Sequence, residues 1–268
     1  MSGNTIGGPE TDGDAPSGAI LSTEGLTKQF GPLTALDDVS IEIPDGGITA
    51  IIGPNGAGKT TLFNTFTGKH APTEGRIEFD GQRIGGVEPY EIVRRGIVRS
   101  FQITNFFSSL TALENVRLAA QARYTGFGPA DFLTHHASHE EPIADAERVL
   151  ERVGLDGVAT ETASSLAYGQ RRHLEVAIAL ASEPRLLLMD EPTAGMSPEE
   201  TNETVELIED IASDTTVVII EHDMDIVMDI SDQIAVLNEG KLLTQGTPSE
   251  VQSDERVQEA YLRGGGHE

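Results

Sequence analysis

The chain has 268 residues, of which 38% are hydrophobic, and no apolar run approaches the roughly 18 to 20 residues that a membrane-spanning helix needs. With 44 acidic against 18 basic residues the formal net charge is −26, which argues against nucleic acid as a general partner. Cysteine is absent and the N-terminus lacks the basic leader and apolar stretch of a signal peptide, so we expect a cytosolic protein without disulfides. An acidic surface with few lysines is typical of proteins from salt-loaded cytoplasms; the alternative is an ordinary acidic protein whose charges are solvated.

The predicted elements alternate along the chain. Residues 1–18 contain almost nothing apolar and predict a disordered tail, as do residues 264–268. Short apolar runs predict strands, at 20–30, 35–43, 48–52, 185–189, 216–220, 233–237 and 241–244. Helical spacing of apolar residues predicts helices, at 58–68, 168–181 and 198–212, with a last helical stretch that reaches Leu262. Because strands alternate with helices, we expect an α/β fold with a wound, mainly parallel sheet.

Two segments depart from this alternation. Residues 75–84 predict a small pair of antiparallel strands with Asp80-Gly81 at the hairpin turn. Between about 103 and 165 the sequence changes to helical segments broken by glycine and proline. We interpret the region of about 103–182 as a helical subdomain inserted into one domain that spans 19–263.

A glycine-rich turn separates the apolar strand 48–52 from the helix that follows. It has the spacing of a phosphate-binding P-loop, Gly53-Pro54-Asn55-Gly56-Ala57-Gly58-Lys59-Thr60, followed by Thr61. Glycines let the backbone wrap closely around phosphate, and amides at a helix N-terminus point at the anion. Lys59 is expected to reach the β- and γ-phosphates of a nucleotide, and Thr60 to ligate Mg²⁺. The alternative is a glycine-rich turn with a surface lysine, which the flanking strand and helix disfavour.

The apolar strand 185–189 ends in two acidic residues, Asp190 and Glu191. P-loop nucleotidases need such a partner, in which Asp190 would hold Mg²⁺ through water and Glu191 would polarise the attacking water. An apolar strand that ends in two acids is often only structural. Its position downstream of a P-loop favours catalysis, so the sequence predicts nucleotide hydrolysis.

With these two motifs in this order, the chain resembles the ATP-binding cassette (ABC) proteins over about residues 20–263. The resemblance implies ATP and Mg²⁺ as cofactors and gives roles to further residues. Gln102 matches the glutamine loop that contacts Mg²⁺ or the water and senses a transmembrane partner. His222 matches the switch histidine that contacts the γ-phosphate, and Phe30 falls where the family places the aromatic ring that stacks on adenine. The alternative for Phe30 is a core residue on a strand.

A signature motif is also matched, by the residues Leu166-Ala167-Tyr168-Gly169-Gln170. In the family this motif begins a helix whose dipole and amides face the γ-phosphate bound to the opposite subunit, so the resemblance implies a dimer. The chain departs from the common pattern, because Ala167 and Tyr168 stand where the family usually has serine and glycine. Ser197 likewise replaces the usual aspartate of the D-loop. These changes put the shared site in doubt.

Several stretches are similar to the branched-chain amino-acid importer type, and to its ATPase with the longer helical insert. They are 99–102, 110–116, 194–199, 221–224, 246–248 and 260–262. The resemblance implies a second ABC ATPase subunit and two transmembrane permeases as partners, with an extracytoplasmic solute-binding protein acting indirectly. It also implies a peripheral position on the inner face of the cell membrane.

Alternatives from other classes remain open. The transported solute does not follow from the motor, since close relatives serve urea uptake or lipid export. A non-transport cassette of DNA repair or ribosomes would have a long coiled-coil insert or two cassettes, neither of which fits one set of motifs in 268 residues. A regulatory module that closes on ATP without hydrolysis is the third alternative, motivated by Ala167 and Ser197.

Overall fold

The computed structural model of the protein describes residues 18–100, 106–124 and 140–264. The strands in these ranges are β1 (Ala19–Phe30), β2 (Leu33–Val39), β3 (Glu42–Pro44), β4 (Ile48–Ile52), β5 (Glu74–Phe79), β6 (Gln82–Arg83), β7 (Ile97–Ser100), β8 (Leu186–Asp190), β9 (Thr216–Ile220), β10 (Gln233–Asn238) and β11 (Lys241–Gly246). The helices in the same ranges are α1 (Lys59–Phe66), α2 (Pro89–Arg94), α3 (Ala112–Tyr124), α4 (Glu140–Arg152), α5 (Tyr168–Leu180), α6 (Pro198–Ala212), α7 (Met224–Ile230), α8 (Pro248–Ser253) and α9 (Glu255–Gly264). None of these helices is long and apolar enough to cross a membrane.

Two sheets organise the chain. The larger has the order β11-β10-β4-β9-β8-β7, and its neighbours are parallel except for the β10–β11 pair. The smaller sheet is antiparallel, with the order β2-β1-β5-β6 and with β3 paired to β1. The predicted fold class, a mainly parallel α/β core with an antiparallel subdomain, is confirmed.

The parallel sheet is covered on both faces. β4, β8 and β9 are buried at every position, as expected for strands between two layers. Alternate residues of β8 enter different cores: Leu187 and Met189 pack with the helical segment α3–α5, and Leu186 and Leu188 pack with α1 and the antiparallel sheet. This packing holds the carboxyl ends of β4, β8 and β9 side by side, where the P-loop and the acidic pair follow.

The structure corrects some predicted boundaries. The predicted strand 35–43 is two strands, β2 and β3, which pair with different halves of β1. Between them the buried Thr23 hydroxyl donates to Val39 O at 2.9 Å and accepts from Ile41 N–H at 3.0 Å, while Thr23 N–H donates to Ile41 O at 2.8 Å, so a side chain takes part in the pairing there. The predicted last helix is likewise two, since Asp254 has the extended ψ of 113° and its carboxylate accepts from Arg256 N–H at 2.9 Å.

Other predictions agree with the structure. Helix 198–212 and strand 216–220 have the predicted bounds, whereas the helix predicted at 58–68 is shorter, 59–66. Asp80 and Gly81 have φ angles of 51° and 69° and form the hairpin turn between β5 and β6. The helices α2 and α7 and the edge strand β7 were not predicted. Gly18 and Gly264 are described, but the rest of the predicted tails, 1–17 and 265–268, lies outside the described residues.

Candidate active site

The P-loop follows β4 at the carboxyl edge of the parallel sheet. Gly53 and Gly58 have φ angles of 149° and 104°. A Cβ atom on Gly53 would lie 2.1 Å from Leu237 O, and one on Gly58 would lie 2.7 Å from Ala35 O, so both positions require glycine. Gly58 is the N-cap of α1 and makes no side-chain cap bond, which leaves the first-turn amides free of side-chain capping at the end where an anion would bind.

Lys59 is the first residue of α1 and is buried. Its Nζ donates to Gly53 O at 2.6 Å and to Pro54 O at 3.2 Å, so the ammonium lies within the curve of the loop. Burial lowers the pKa of Lys59, and the carboxylates of Glu191 and Asp190 oppose that effect. The ammonium thus lies at the P-loop within electrostatic reach of the two acids, and its contact with nucleotide phosphates stays a prediction.

Asp190 is the last residue of β8 and its side chain is only 3% exposed. Its Oδ2 forms an ion pair with the guanidinium of Arg99, which comes from the neighbouring strand β7. Sequence analysis named Arg99 only as part of a family-like stretch. Its contact with Asp190 joins residues 91 positions apart and could not be inferred from spacing.

Glu191 and His222 are brought together by the β8–β9 pairing. Glu191 N–H donates to Ile220 O at 2.8 Å, so the carboxylate lies beside His222, two residues past the end of β9. The Glu191 Oε1 and His222 Nε2 atoms are 2.9 Å apart. Glu191 has a φ of 50°, a conformation that is unfavourable for residues other than glycine and is often found at functional sites. The predicted pair is thus in hydrogen-bond contact at the sheet edge.

A buried carboxylate that sequence analysis gave no role supports this pair. Glu221 is 4% exposed, and its Oε1 accepts from Thr193 N–H at 3.1 Å and from the Thr193 hydroxyl at 2.5 Å. Its Oε2 accepts from His222 N–H at 3.0 Å. Glu221 therefore connects the segment after Glu191 to His222; an acid directly after a buried strand was the available signal.

A cavity of about 510 Å³ lies over the P-loop, a volume that suits a small-molecule ligand. Its walls combine P-loop residues, the Glu191–His222 pair and residues that were not named from the sequence. The lining residues are Leu33, Thr34, Ala35, Asn55, Gly56, Ala57, Gly58, Lys59, Thr60, Thr61, Glu191, Ile220, His222, Glu239 and Gly240. Phe30 is not among them, and its ring meets His70 edge-on with centroids 5.1 Å apart. Stacking of Phe30 on adenine stays a prediction. Gln102 lies outside the described residues.

The donors present fit Mg²⁺, the metal that the fold family implies. Thr60 offers a hydroxyl in the cavity wall, and Asp190 offers a buried carboxylate at the adjacent strand end. The described residues contain no cluster of three or more His, Cys, Asp or Glu able to hold a metal. Mg²⁺ characteristically uses one or two protein oxygens together with nucleotide phosphates, and this donor set matches that mode.

The signature residues lie away from this cavity. Ala167 is the N-cap of α5 and has no side-chain oxygen, but Gln170 Oε1 accepts from its backbone N–H at 2.9 Å. Tyr168 OH donates to Ala194 O at 2.9 Å and so ties the start of α5 to the D-loop. Ala167, Gly169 and Gln170 line a separate open groove between the end of α4, α5 and α6. They are not among the residues that line the P-loop cavity.

Ser197 of the D-loop has a structural role. Its hydroxyl accepts from Glu200 N–H at 3.3 Å, and Glu200 Oε2 accepts from Ser197 N–H at 2.9 Å, which forms a capping box at the start of α6. The other Glu200 oxygen faces the signature helix, because a Cβ on Gly169 would lie 2.8 Å from it. The backbone N–H of Ser197, and to a smaller extent that of Gly169, lowers the pKa of Glu200.

Comparison with known proteins agrees with this arrangement. The ABC transporter family matches residues 36–194, and the branched-chain amino acid ATP-binding cassette transporter family matches residues 241–262. The chain is 43% identical over 249 residues to the high-affinity branched-chain amino acid transport ATP-binding protein BraF of Pseudomonas aeruginosa, covering 91% of this chain and 97% of that protein. The corresponding Escherichia coli protein LivG is 42% identical over 248 residues, with the same coverage.

Solved structures give the same result. The ADP conformation of an ATP-binding cassette of an ABC transporter superposes with a TM-score of 0.79 at 34% identity, covering 91% of this chain and 98% of that one. A dimeric cassette in a post-hydrolysis state bound to ADP and Pi has a TM-score of 0.72 at 27% identity, covering 85% and 98%. The chain therefore belongs to the ABC transporter family, as an ATP-binding cassette of the branched-chain amino-acid type that couples ATP hydrolysis to transport.

Proposed function

We propose that this chain is one of two cassettes that power an importer of branched-chain amino acids. The names of the 42–43% identical relatives and the family match at 241–262 support the solute. The observation that carries hydrolysis is the Glu191–His222 contact of 2.9 Å at the wall of the P-loop cavity. Two transmembrane permeases, served by an extracytoplasmic solute-binding protein, would complete the importer.

The residues of the cavity have separate tasks in hydrolysis. Lys59 leaves the carbonyls of Gly53 and Pro54 and donates to the β- and γ-phosphates of ATP. Glu191 accepts a hydrogen bond from the attacking water, and His222 orients Glu191 and contacts the γ-phosphate. Thr60 and Asp190 would hold Mg²⁺, which neutralises charge on the phosphates when bound. In-line attack then needs positioning more than covalent chemistry.

The signature helix explains why two cassettes are needed. Its N-terminal residues Ala167, Gly169 and Gln170 line a groove other than the P-loop cavity of this chain, which supports a phosphate partner on another chain. We infer that two cassettes close head to tail, with each signature helix pointing at the γ-phosphate on the other chain. A solved relative that is a dimer with ADP and Pi supports this geometry. Closure on ATP drives the permeases, and hydrolysis reopens the pair.

The test of hydrolysis is Glu191→Gln. The variant keeps the shape of the side chain but loses the carboxylate, so phosphate release should fall by at least about 100-fold, the size of a general-base effect. ATP binding should persist, and ATP-bound pairs should accumulate on size-exclusion chromatography. Glu209→Gln on the exposed face of α6 is the matched control and should behave as the wild type. Undiminished hydrolysis by Glu191→Gln would remove Glu191 from its role.

The solute needs a separate test. Co-expressed with candidate permeases and reconstituted in vesicles, with the solute-binding protein outside and ATP enclosed with the cassettes, the complex should take up leucine. Uptake of urea but not leucine, or export of a lipid, would overturn the amino-acid assignment and leave the ATPase assignment standing.

A further inference from the structure

Arg99 is a buried cation beside the acidic pair, and neither P-loop chemistry nor the Glu191–His222 contact uses it. Its side chain is 12% exposed and that of Asp190 is 3% exposed, so their ion pair is largely withdrawn from water. A buried carboxylate without a cation is strongly destabilising, whereas a buried pair replaced by apolar residues is often tolerated. The contact therefore needs an explanation beyond stability.

The guanidinium bridges three elements that surround the phosphate end of the cavity. Arg99 lies on β7, its NH2 group contacts Asp190 at the end of β8, and its NH1 group donates to Asn64 Oδ1 at 2.8 Å. Asn64 is on α1, one turn after Thr60 and so on the same side of the helix. The planar fork thus connects the carboxylate and the helix whose Thr60 hydroxyl is the other proposed Mg²⁺ donor.

The position of the fork is fixed by packing. The Arg99 guanidinium carbon lies 5.5 Å from the centroid of the Phe63 ring, also on α1, in the range of a cation–π contact. Arg99 Nε is buried and makes no hydrogen bond within the described residues. Leaving this group unsatisfied costs free energy. Arg99 nevertheless contacts Asp190 from one side, and the cavity lies on the side of Lys59 and Thr60.

We propose that Arg99 is a positioning residue that holds Asp190 and balances its charge, so that the carboxylate is shared between Arg99 and the Mg²⁺ that accompanies ATP. This inference rests on the proposed function, because it uses Asp190 as the Mg²⁺ partner. Its consequence is a coupling: without Arg99, more of the positive charge that offsets Asp190 must come from the metal, beside the charge of Lys59. Nucleotide binding then depends more strongly on Mg²⁺.

The experiment compares Arg99→Met with Arg99→Lys, Asp190→Asn and the double variant Arg99→Met/Asp190→Asn. In EDTA, Arg99→Met should lower Tm by about 10 °C, because it leaves an unpaired buried carboxylate. The double variant should recover at least half of that loss, since both charges are gone. Arg99→Lys should fall between Arg99→Met and the wild type, because the charge remains but the fork is lost. Arg95→Met, which removes a partly exposed pair with Glu91 on α2 and a bond to Arg83 O, is the control and should shift Tm by much less than Arg99→Met.

The second readout is the affinity for a fluorescent ATP analogue in EDTA and in Mg²⁺. The ratio of the two dissociation constants should rise about 10-fold in Arg99→Met relative to the wild type. An unchanged ratio, or a double variant no more stable than Arg99→Met, would show that Arg99 only packs and would overturn the proposal. If the wild type hydrolyses ATP normally in that case, the proposed function stands. A wild type without Mg²⁺-dependent ATP binding would overturn both.

Discussion

The P-loop cavity and the signature helix are held in place by different means. The cavity is built from backbone that leaves the fully buried strands β4, β8 and β9, and its acids come directly from strand ends. The signature helix α5 buries apolar residues such as Leu174 and Ala177 in the core, but its N-terminal half is also held by polar contacts, of which Tyr168 contacts Ala194 O and His173 contacts Val153 O. A hydrophobic strand has one register, whereas a polar contact can be exchanged. We therefore expect the N-terminal part of α5, which would meet the other cassette, to shift more readily than the strands that carry the P-loop cavity.

The largest effect should come from the cavity side, with Lys59→Ala. The variant removes the charged donor proposed for the phosphates, a contact worth about 1.5–3 kcal/mol, so ATP affinity should fall roughly 10- to 100-fold. Titration with a fluorescent ATP analogue on the single cassette measures it. Lys69→Ala is the control, because Lys69 is exposed and does not line the cavity. Equal ATP affinities for Lys59→Ala and the wild type would show that the cavity binds ATP without its buried cation. The contrast between the cavity and the signature helix would then fail.

An intermediate effect should come from low pH, through His173 on the signature helix α5. His173 Nδ1 lies 3.1 Å from Val153 O and Nε2 lies 3.2 Å from Thr204 Oγ1, so the ring joins α5 to the residue after α4 and to α6. Burial lowers the pKa of His173, against the opposing effects of the Val153 carbonyl, Glu203 and Glu200. Because the unfolded chain then binds a proton that the folded chain excludes, His173 contributes a loss of stability as pH falls below about 6.5.

The expected slope from His173 is at most about 1.4 kcal/mol per pH unit. Between pH 7.5 and 5.5, the free energy of unfolding measured with denaturant should therefore fall less steeply with decreasing pH for His173→Gln than for the wild type. Hydrogen exchange should locate the acid-induced loosening in α5 before the strands β4 and β9. His70, which lies beside Phe30 and outside this junction, gives the control His70→Gln. Identical pH slopes for His173→Gln and the wild type would remove His173 from the acid response.

Much of the structure around the P-loop cavity could be predicted from the sequence. Residues 48–52 and 216–220 are short and wholly apolar or nearly so, and their positions were predicted from pattern alone, as were the P-loop and the acidic pair after 185–189; His222 was named from the family resemblance. The strand β7 was missed because Ile97–Ser100 is an edge strand with two apolar residues. Arg99 was missed with it, and Glu221 lacked a role, because both act on residues distant in sequence or on an adjoining loop. Contacts of this kind depend on the sheet order, which local pattern does not determine.

The smallest effect should come from Ala167→Ser, at the N-terminus of the signature helix, where the chain departs from the common family pattern. Ala167 has the φ of −62° and ψ of 165° of an N-cap, and the reciprocal bond from its N–H to Gln170 Oε1 already exists. A serine hydroxyl would complete the capping box by accepting from Gln170 N–H and should stabilise the chain by about 0.5–1 kcal/mol in denaturant unfolding. ATP affinity of the single cassette should not change, because Ala167 lies outside the P-loop cavity. Ala71→Ser, the same change at an exposed position before β5, is the control. If Ala167→Ser gained no stability, the bonds that Gln170, Tyr168 and Arg171 already make would suffice to hold the N-terminus of α5, and Ala167 would not destabilise the fold.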